Sequence, residues 1–268
     1  MSTDDASLPQ FLADKRQLAE GETFGFTCHP DVPCFNSCCA DVNIILTPID
    51  VLQLARRLDM NTREFLETHT SNPITKDLQL PIIMLRMKDE ENKPCPFVGE
   101  QGCTVYEDRP WACRMYPLGM AIPPASAGKE PEPIFFVFED DHCKGRHQPD
   151  CKEWTAKSWR DDQGIEQRET LEAGFRDLVS HPWFIGGRTL DPKRMHMFYT
   201  ACYDLDTFRD FVFESSFCDK FDIEPEALEE LKTNDEALLH FAFRWLRFAM
   251  FAEPTLKVRE GVVDRSKT

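Results

Sequence analysis

Nine of the eleven cysteines in this 268-residue chain fall between positions 28 and 151, and they are clustered. The first cluster is Cys28, Cys34, Cys38 and Cys39, the second is Cys95, Cys103 and Cys113, and two more follow at Cys143 and Cys151. Pro30, Pro33 and Asn36 interrupt the first cluster, which is typical of a loop rather than of regular secondary structure. Loops of this kind cannot close a core alone, so the clusters predict a bound metal.

The cellular compartment in which the protein resides decides whether these thiols are reduced. The N-terminus is acidic and polar, and it lacks the basic start and apolar run of a secretory signal. The most apolar late stretch, Ala237–Phe251, contains His240 and two arginines and is too short to span a bilayer. We therefore expect a soluble, cytoplasmic protein, in which an odd number of cysteines indicates metal or redox chemistry rather than a disulfide framework.

Thiolates bind soft or borderline metals because sulfur is polarisable and its negative charge is favoured beside a cation. Eight cysteines are candidate metal ligands: Cys28, Cys34, Cys38, Cys39, Cys95, Cys103, Cys113 and Cys143. Four thiolates complete a zinc site or one [4Fe–4S] cluster, so eight could serve two sites, or one site with spare thiols. Neighbouring side chains of an extended backbone point to opposite sides. Cys38 and Cys39 thus either serve two metals, or one of them is not a ligand.

Other residues near the clusters have less specific roles. Arg109 and Arg114 flank Cys113, where they could offset thiolate charge or hold an anionic ligand, or where Arg109 could form a salt bridge to an acidic neighbour. His29 and His142 each adjoin a cysteine and could replace one thiolate, although such a histidine is more often exposed or a hydrogen-bond donor to a ligand.

The charge of the chain restricts its partners. The formal net charge is −16, which repels nucleic-acid phosphates and anionic lipid surfaces. We expect a metal ion as the partner, and neither nucleic acid nor a membrane.

Periodicity predicts an α+β fold, in which a small, irregular, cysteine-rich domain with short strands is followed by a helical C-terminal region. Helices are predicted from Thr47-Pro48 and over Thr62–His69, and strands over Leu80–Met87, Leu118–Ile122 and Pro133–Glu139. The second cysteine cluster predicts a hairpin-like knuckle. Helices are predicted over Glu153–Val179 (with a break at Gly164), Pro192–Phe221 and Glu224–Phe251. The predicted domains are residues 20–150, which bind the metal, and the helical residues 151–268.

One long motif carries a family resemblance. A cysteine loop that ends in Cys-Cys is followed by C-P-F…G-C-x-V-Y-x-x-R-P-x-x-C-R-x-Y-P, and this combination resembles the YkgJ-like cysteine-cluster family over residues 24–150. The first loop has gaps of five and three residues, between Cys28 and Cys34 and between Cys34 and Cys38, where the family usually has two in each. The resemblance implies chelation of zinc or iron. It also implies a distant link to flagellin lysine N-methylases, which are thought to use an iron–sulfur centre.

These observations predict a metal-binding protein whose thiolates come from two cysteine motifs. Two alternatives remain open: an iron–sulfur enzyme of redox or methyl-transfer type, and a metal carrier or sensor. The sequence singles out no catalytic residue, since it contains neither H-E-x-x-H nor G-x-S-x-G and no phosphate-binding glycine loop.

Overall fold

The computed structural model describes residues 12–72, 80–123, 132–184 and 187–259. The chain divides into two compact units. The first unit comprises the described residues up to Val42 together with Met87–Tyr106 and those within Trp111–Arg168. The second comprises those within Asn43–Arg86, Glu107–Pro110 and the described residues from Glu169 onwards.

The strands are short, and most of the helices lie after the last strand, towards the C-terminus. The strands are β1 (Arg16–Gln17), β2 (Thr23–Phe26), β3 (Ile45–Leu46), β4 (Thr70–Ser71), β5 (Ile83–Leu85), β6 (Val98–Gly99), β7 (Gly102–Cys103), β8 (Leu118–Ala121), β9 (Ile134–Val137) and β10 (Lys152–Thr155). The helices are α1 (Pro48–Arg57), α2 (Thr62–His69), α3 (Trp111–Met115), α4 (Ala156–Asp162), α5 (Ile165–Leu171), α6 (Ala173–Val179), α7 (Pro192–Cys202), α8 (Leu205–Glu214), α9 (Phe217–Lys220), α10 (Pro225–Thr233) and α11 (Asp235–Phe251). The predicted α+β class is confirmed.

The first unit contains three small antiparallel arrangements: β1-β9-β8, β10-β2 and the β6-β7 hairpin. Its core is a cluster of buried residues contributed by β2, α3, β8, β9, β10, α4 and α5: Phe24, Phe26, Met115, Leu118, Val137, Trp154, Trp159 and Ile165. The indole N–H of Trp154 donates to the carbonyl of Phe26 (2.9 Å), and that of Trp159 donates to the carbonyl of Met115 (3.0 Å). Both large aromatic residues are therefore buried with their polar groups paired.

The second unit is mainly helical. Helix α11 contacts α6, α7, α8 and α10, and its long apolar face is buried between them. Helix α1 begins at a capping box: the Thr47 hydroxyl accepts from the Asp50 amide and the Asp50 carboxylate accepts from the Thr47 amide. The three-stranded sheet β3-β5-β4 completes the unit. Compactness does not show independent folding, so the predicted boundary between residues 150 and 151 stays a prediction.

One segment differs from the prediction. Residues 153–155 are not helical, because β10 pairs with β2 in antiparallel register, with Trp154 opposite Phe24. Helix α4 begins only after Thr155, whose hydroxyl accepts from the Ser158 amide in a capping box. The predicted break at Gly164 is confirmed, since this residue has φ +65° and separates α4 from α5.

Within the described ranges, the chain contains no helix with the length and hydrophobicity needed to cross a membrane.

Candidate metal centre

All eight predicted ligands lie in the first unit, on three separate stretches of chain. The first stretch is the loop that follows β2, the second runs from Cys95 through the β6-β7 hairpin to α3, and the third is the turn around Cys143. The core holds these stretches in place. Phe26 lies two residues before Cys28, and Met115 lies two residues after Cys113; both are core residues, and Cys143 packs against the same cluster.

The turn around Cys143 is bonded to the loop that follows β2. The Thr27 amide donates to the Gly145 carbonyl (2.9 Å), and the Lys144 amide donates to the sulfur of Cys34 (3.0 Å). These bonds join residues more than a hundred positions apart, and they bring Cys28 and Cys34 to the turn that carries Cys143.

The far end of the same loop is bonded to the knuckle. The Cys95 amide donates to the Cys39 carbonyl (2.7 Å), and Ala40 forms an isolated bridge with Pro94. In the predicted hairpin, which is confirmed, Cys103 lies opposite Val98. These contacts bring together the backbone at Cys39, Cys95 and Cys103.

The thiols influence one another electrostatically. The pKa of Cys28 is raised to about 11, first by loss of solvent and then by the neighbouring thiols of Cys38, Cys34 and Cys143. The Cys39 thiol donates a hydrogen bond to Cys38, which lowers the pKa of Cys38 to about 7 and raises that of Cys39. The thiols next to Cys39 are those of Cys38, Cys95 and Cys113. Burial and the nearby Cys103 thiol also raise the pKa of Cys95.

The donor set fits zinc or an iron–sulfur centre in chemistry and number, because eight soft sulfur ligands are gathered in one unit and none forms a disulfide. The side chains do not form a closed cage. Among the described residues, no three His, Cys, Asp or Glu side chains are arranged so that they could hold a metal ion as they stand. Binding therefore requires thiol side chains to turn towards a common centre.

Three other cysteines have different surroundings. The Cys151 thiol donates to the Gly145 carbonyl (3.0 Å), which also accepts from the Thr27 amide. Cys202 is 1% exposed and burial raises its pKa well above the usual value. The Cys218 thiol donates to the Val212 carbonyl (3.2 Å). The last two lie in the second unit.

The predicted charge-compensating arginines lie in different units. Arg114, in the first unit, donates from Nη1 to the Gln163 carbonyl (3.0 Å), whereas Arg109 is buried in the second unit. Their role towards the thiolates stays a prediction.

The two histidines beside cysteines are paired with carboxylates. His29 Nε2 lies 3.4 Å from an Asp150 oxygen, and His142 Nδ1 lies 2.9 Å from an Asp140 oxygen. The part that these histidines play at the site stays a prediction.

Sequence reasoning missed two residues that shape the centre. Tyr116 packs edge-on against Phe26 and stacks on Phe138, and its hydroxyl donates a hydrogen bond to Cys143; burial and this bond raise its pKa. The Tyr-Pro pair just after Cys113 was the available signal. Gly145 gave no signal, because its role depends on a contact with Thr27.

Gly145→Ala is expected to separate two of the stretches that carry ligands. A Cβ at this position would lie 2.5 Å from the Thr27 carbonyl oxygen, which is backbone and cannot move without displacing the residue next to Cys28. We expect the variant to bind less metal, because Cys28 and Cys143 move apart. We also expect its free energy of unfolding to fall by about 1–3 kcal/mol. Elemental analysis and urea denaturation measure the two effects.

Gly99→Ala is the matched control for this substitution. It lies in the knuckle of the same unit, and its added Cβ would find its nearest atoms at 3.6 Å, which is ordinary contact. This variant is expected to retain the metal content of the unchanged chain. Equal metal content in the Gly145 and Gly99 variants would contradict the assigned role of Gly145.

One of three comparisons with known proteins found a match. A family model, CxxCxxCC, described as "Putative zinc- or iron-chelating domain", matches residues 27–160. This range contains all eight predicted ligands. Comparison with curated proteins and with solved structures gave no match.

Proposed function

The chain belongs to the CxxCxxCC family of zinc- or iron-chelating domains, as its resemblance to cysteine-cluster proteins predicts, and from that premise we propose that it binds zinc or iron through cysteine thiolates. The proposed ligands are the eight cysteines of the first unit: Cys28, Cys34, Cys38, Cys39, Cys95, Cys103, Cys113 and Cys143.

One observation carries this proposal. Hydrogen bonds from Cys95 to Cys39 (2.7 Å) and from Lys144 to Cys34 (3.0 Å) hold three distant stretches of chain together at the positions of their cysteines. A core alone would not require sulfur at these places, because Cys28, Cys38 and Cys113 are exposed rather than packed. Reduced thiols carried on neighbouring stretches of chain at the surface of a core are the donors that a thiolate-bound metal needs.

The bound metal would neutralise adjacent thiolates and hold loops that have little regular structure of their own. The core also positions the proposed ligands, since Phe26 and Met115 fix two of the ligand-bearing stretches to it. The Tyr116 hydroxyl donates to the Cys143 sulfur and so orients one proposed ligand.

Single Cys→Ser changes at Cys34, Cys95, Cys103 and Cys113 are expected each to lower the metal content, since a serine hydroxyl is a poor substitute for a soft thiolate. Cys202→Ser and Cys218→Ser are matched controls in the second unit and are expected to retain the metal. Elemental analysis of anaerobically purified protein gives the result. If the four variants keep as much metal as the two controls, thiolate ligation by these residues is wrong.

The same preparation distinguishes zinc from iron. A brown protein that contains iron and acid-labile sulfide would support a [4Fe–4S] centre and with it the redox or methyl-transfer alternative. A colourless protein with stoichiometric zinc would support a closed, tetrahedral site with an organising role. Rapid exchange of the ion with a weak chelator in the folded chain would support the carrier or sensor alternative.

We also propose a cytoplasmic location. No disulfide joins any of the eleven cysteines, all of which lie in the described ranges, and the cytosol is the compartment that keeps thiols reduced and available to a metal.

A further inference from the structure

We propose that the eight cysteines form two adjoining four-thiolate sites, and that the chain passes from one site to the other between Cys38 and Cys39. The first site consists of Cys28, Cys34, Cys38 and Cys143, and the second of Cys39, Cys95, Cys103 and Cys113. The inference rests on the proposed function, which requires only that thiolates bind a metal.

The turn around Cys143 defines the first site. It is bonded to the chain beside Cys28 through Thr27 and Gly145 (2.9 Å), and directly to the Cys34 sulfur through the Lys144 amide (3.0 Å). The thiols that act on the Cys28 thiol are those of Cys34, Cys38 and Cys143, so the same four residues are neighbours.

The knuckle defines the second site. The Cys95 amide donates to the Cys39 carbonyl (2.7 Å), and the β6-β7 pairing returns the chain so that Cys103 lies opposite Val98. The Asn36 side chain also donates to the Gly99 carbonyl (3.1 Å), which fixes the hairpin to the first loop. The Cys39 thiol has the Cys95 and Cys113 thiols among its neighbours.

The backbone around Cys38 and Cys39 changes direction at the division. Asn36 has φ +67°, a short 3₁₀ turn covers Ser37–Cys39, and Ala40 is extended with φ −141°. Before the turn, the Cys34 sulfur accepts from the Lys144 amide beside Cys143, and the Asn36 side chain reaches the knuckle. After the turn, Ala40 pairs with Pro94 beside the knuckle. Since the Cys38 and Cys39 thiols are hydrogen-bonded to each other, the two sites adjoin rather than lie apart.

A single site accounts for these eight residues less well. A tetrahedral zinc ion or a [4Fe–4S] cluster takes four thiolates, so one site would leave four further thiols next to a site that is already negatively charged. Two sites use every cysteine of the group, and they leave out Cys151, whose thiol is engaged with the Gly145 carbonyl.

Zinc stoichiometry tests the division. The full chain is reduced, stripped and reloaded with Zn²⁺ under anaerobic conditions, and zinc per chain is measured after removal of excess metal. We expect a ratio of two for the unchanged chain and for Cys151→Ser. Cys34→Ser and Cys103→Ser are each expected to bind half as much, and the double variant none.

The outcomes separate this inference from the proposed function. A ratio of one in the unchanged chain, or a loss of all zinc in either single variant, would overturn the division and leave thiolate binding intact. An unchanged chain that binds no metal would overturn the proposed function itself. Titration of the unchanged chain with Co²⁺ repeats the test without substitutions. The sulfur-to-cobalt charge-transfer absorption is expected to rise until two equivalents of Co²⁺ per chain are added. Saturation at one equivalent would contradict two sites.

Discussion

Removal of the metal by a chelator is expected to loosen the cysteine loops and to leave the helices of the second unit intact. Residues 27–40 and 93–115 contain only two-residue strands, short turns and the five-residue α3. Structural zinc contributes roughly 10–16 kcal/mol in small thiolate peptides, and a modest part of this would be lost here because the aromatic core remains. We expect backbone amides in these loops to exchange with solvent more than about 100-fold faster, which corresponds to about 3 kcal/mol of local stability.

Hydrogen exchange followed by mass spectrometry, with and without chelator, measures this effect. Amides of α11, which contacts four other helices, serve as the internal control and are expected to keep their protection. Addition of zinc should restore the protection of the loops. If the loops exchange at the same rate in both states, the metal has no organising role, and the carrier or sensor alternative gains support.

Phe208→Ala is expected to destabilise the helical unit by about 3–5 kcal/mol, because truncation of a buried phenylalanine removes apolar contacts and leaves a cavity. Phe208 is 0% exposed in α8, and its ring centroid lies 5.3 Å from that of Trp245 and 6.5 Å from that of Phe241. Urea denaturation followed by circular dichroism measures the loss. Since the proposed ligands all lie in the first unit, the metal content of the folded variant is expected to be unchanged.

Phe211→Ala is the matched control. It lies on the same helix and its ring is 5.2 Å from Trp245, but the residue is 39% exposed, so the cavity opens to solvent. A loss of about 1–2 kcal/mol is expected. Equal losses in the two variants would show that the packing around Phe208 does not carry the stability assigned to it.

Residue type and local pattern were enough to predict much of the fold. Helix α1 was predictable because a Thr cap, a proline and an apolar stripe coincide at Thr47-Pro48, and the break at Gly164 followed from one glycine. The knuckle was predictable from the short polar link between Cys95 and Cys103. These signals are all contained within a few consecutive residues, where local propensity acts.

The remaining features depend on contacts between distant residues. Nothing near Cys34 indicates that its sulfur will accept a hydrogen bond from Lys144, and nothing near Gly145 indicates the Thr27 contact. Residues 153–155 begin the segment Glu153–Val179, whose apolar residues recur at helical spacing, yet they form a strand because they pair with β2. The eight candidate cysteines could thus be named from the sequence, whereas the proposal that they divide into two groups rests on contacts that only the structure shows.

X-ray absorption at the metal edge of the anaerobically purified, unchanged chain tests whether cysteine sulfur binds the metal. Thiolate ligation predicts a bound zinc or iron whose nearest shell is sulfur at about 2.3 Å, with four sulfurs around each metal. A shell of nitrogen and oxygen at about 2.0–2.1 Å would contradict the claim, and so would a chain that contains no metal.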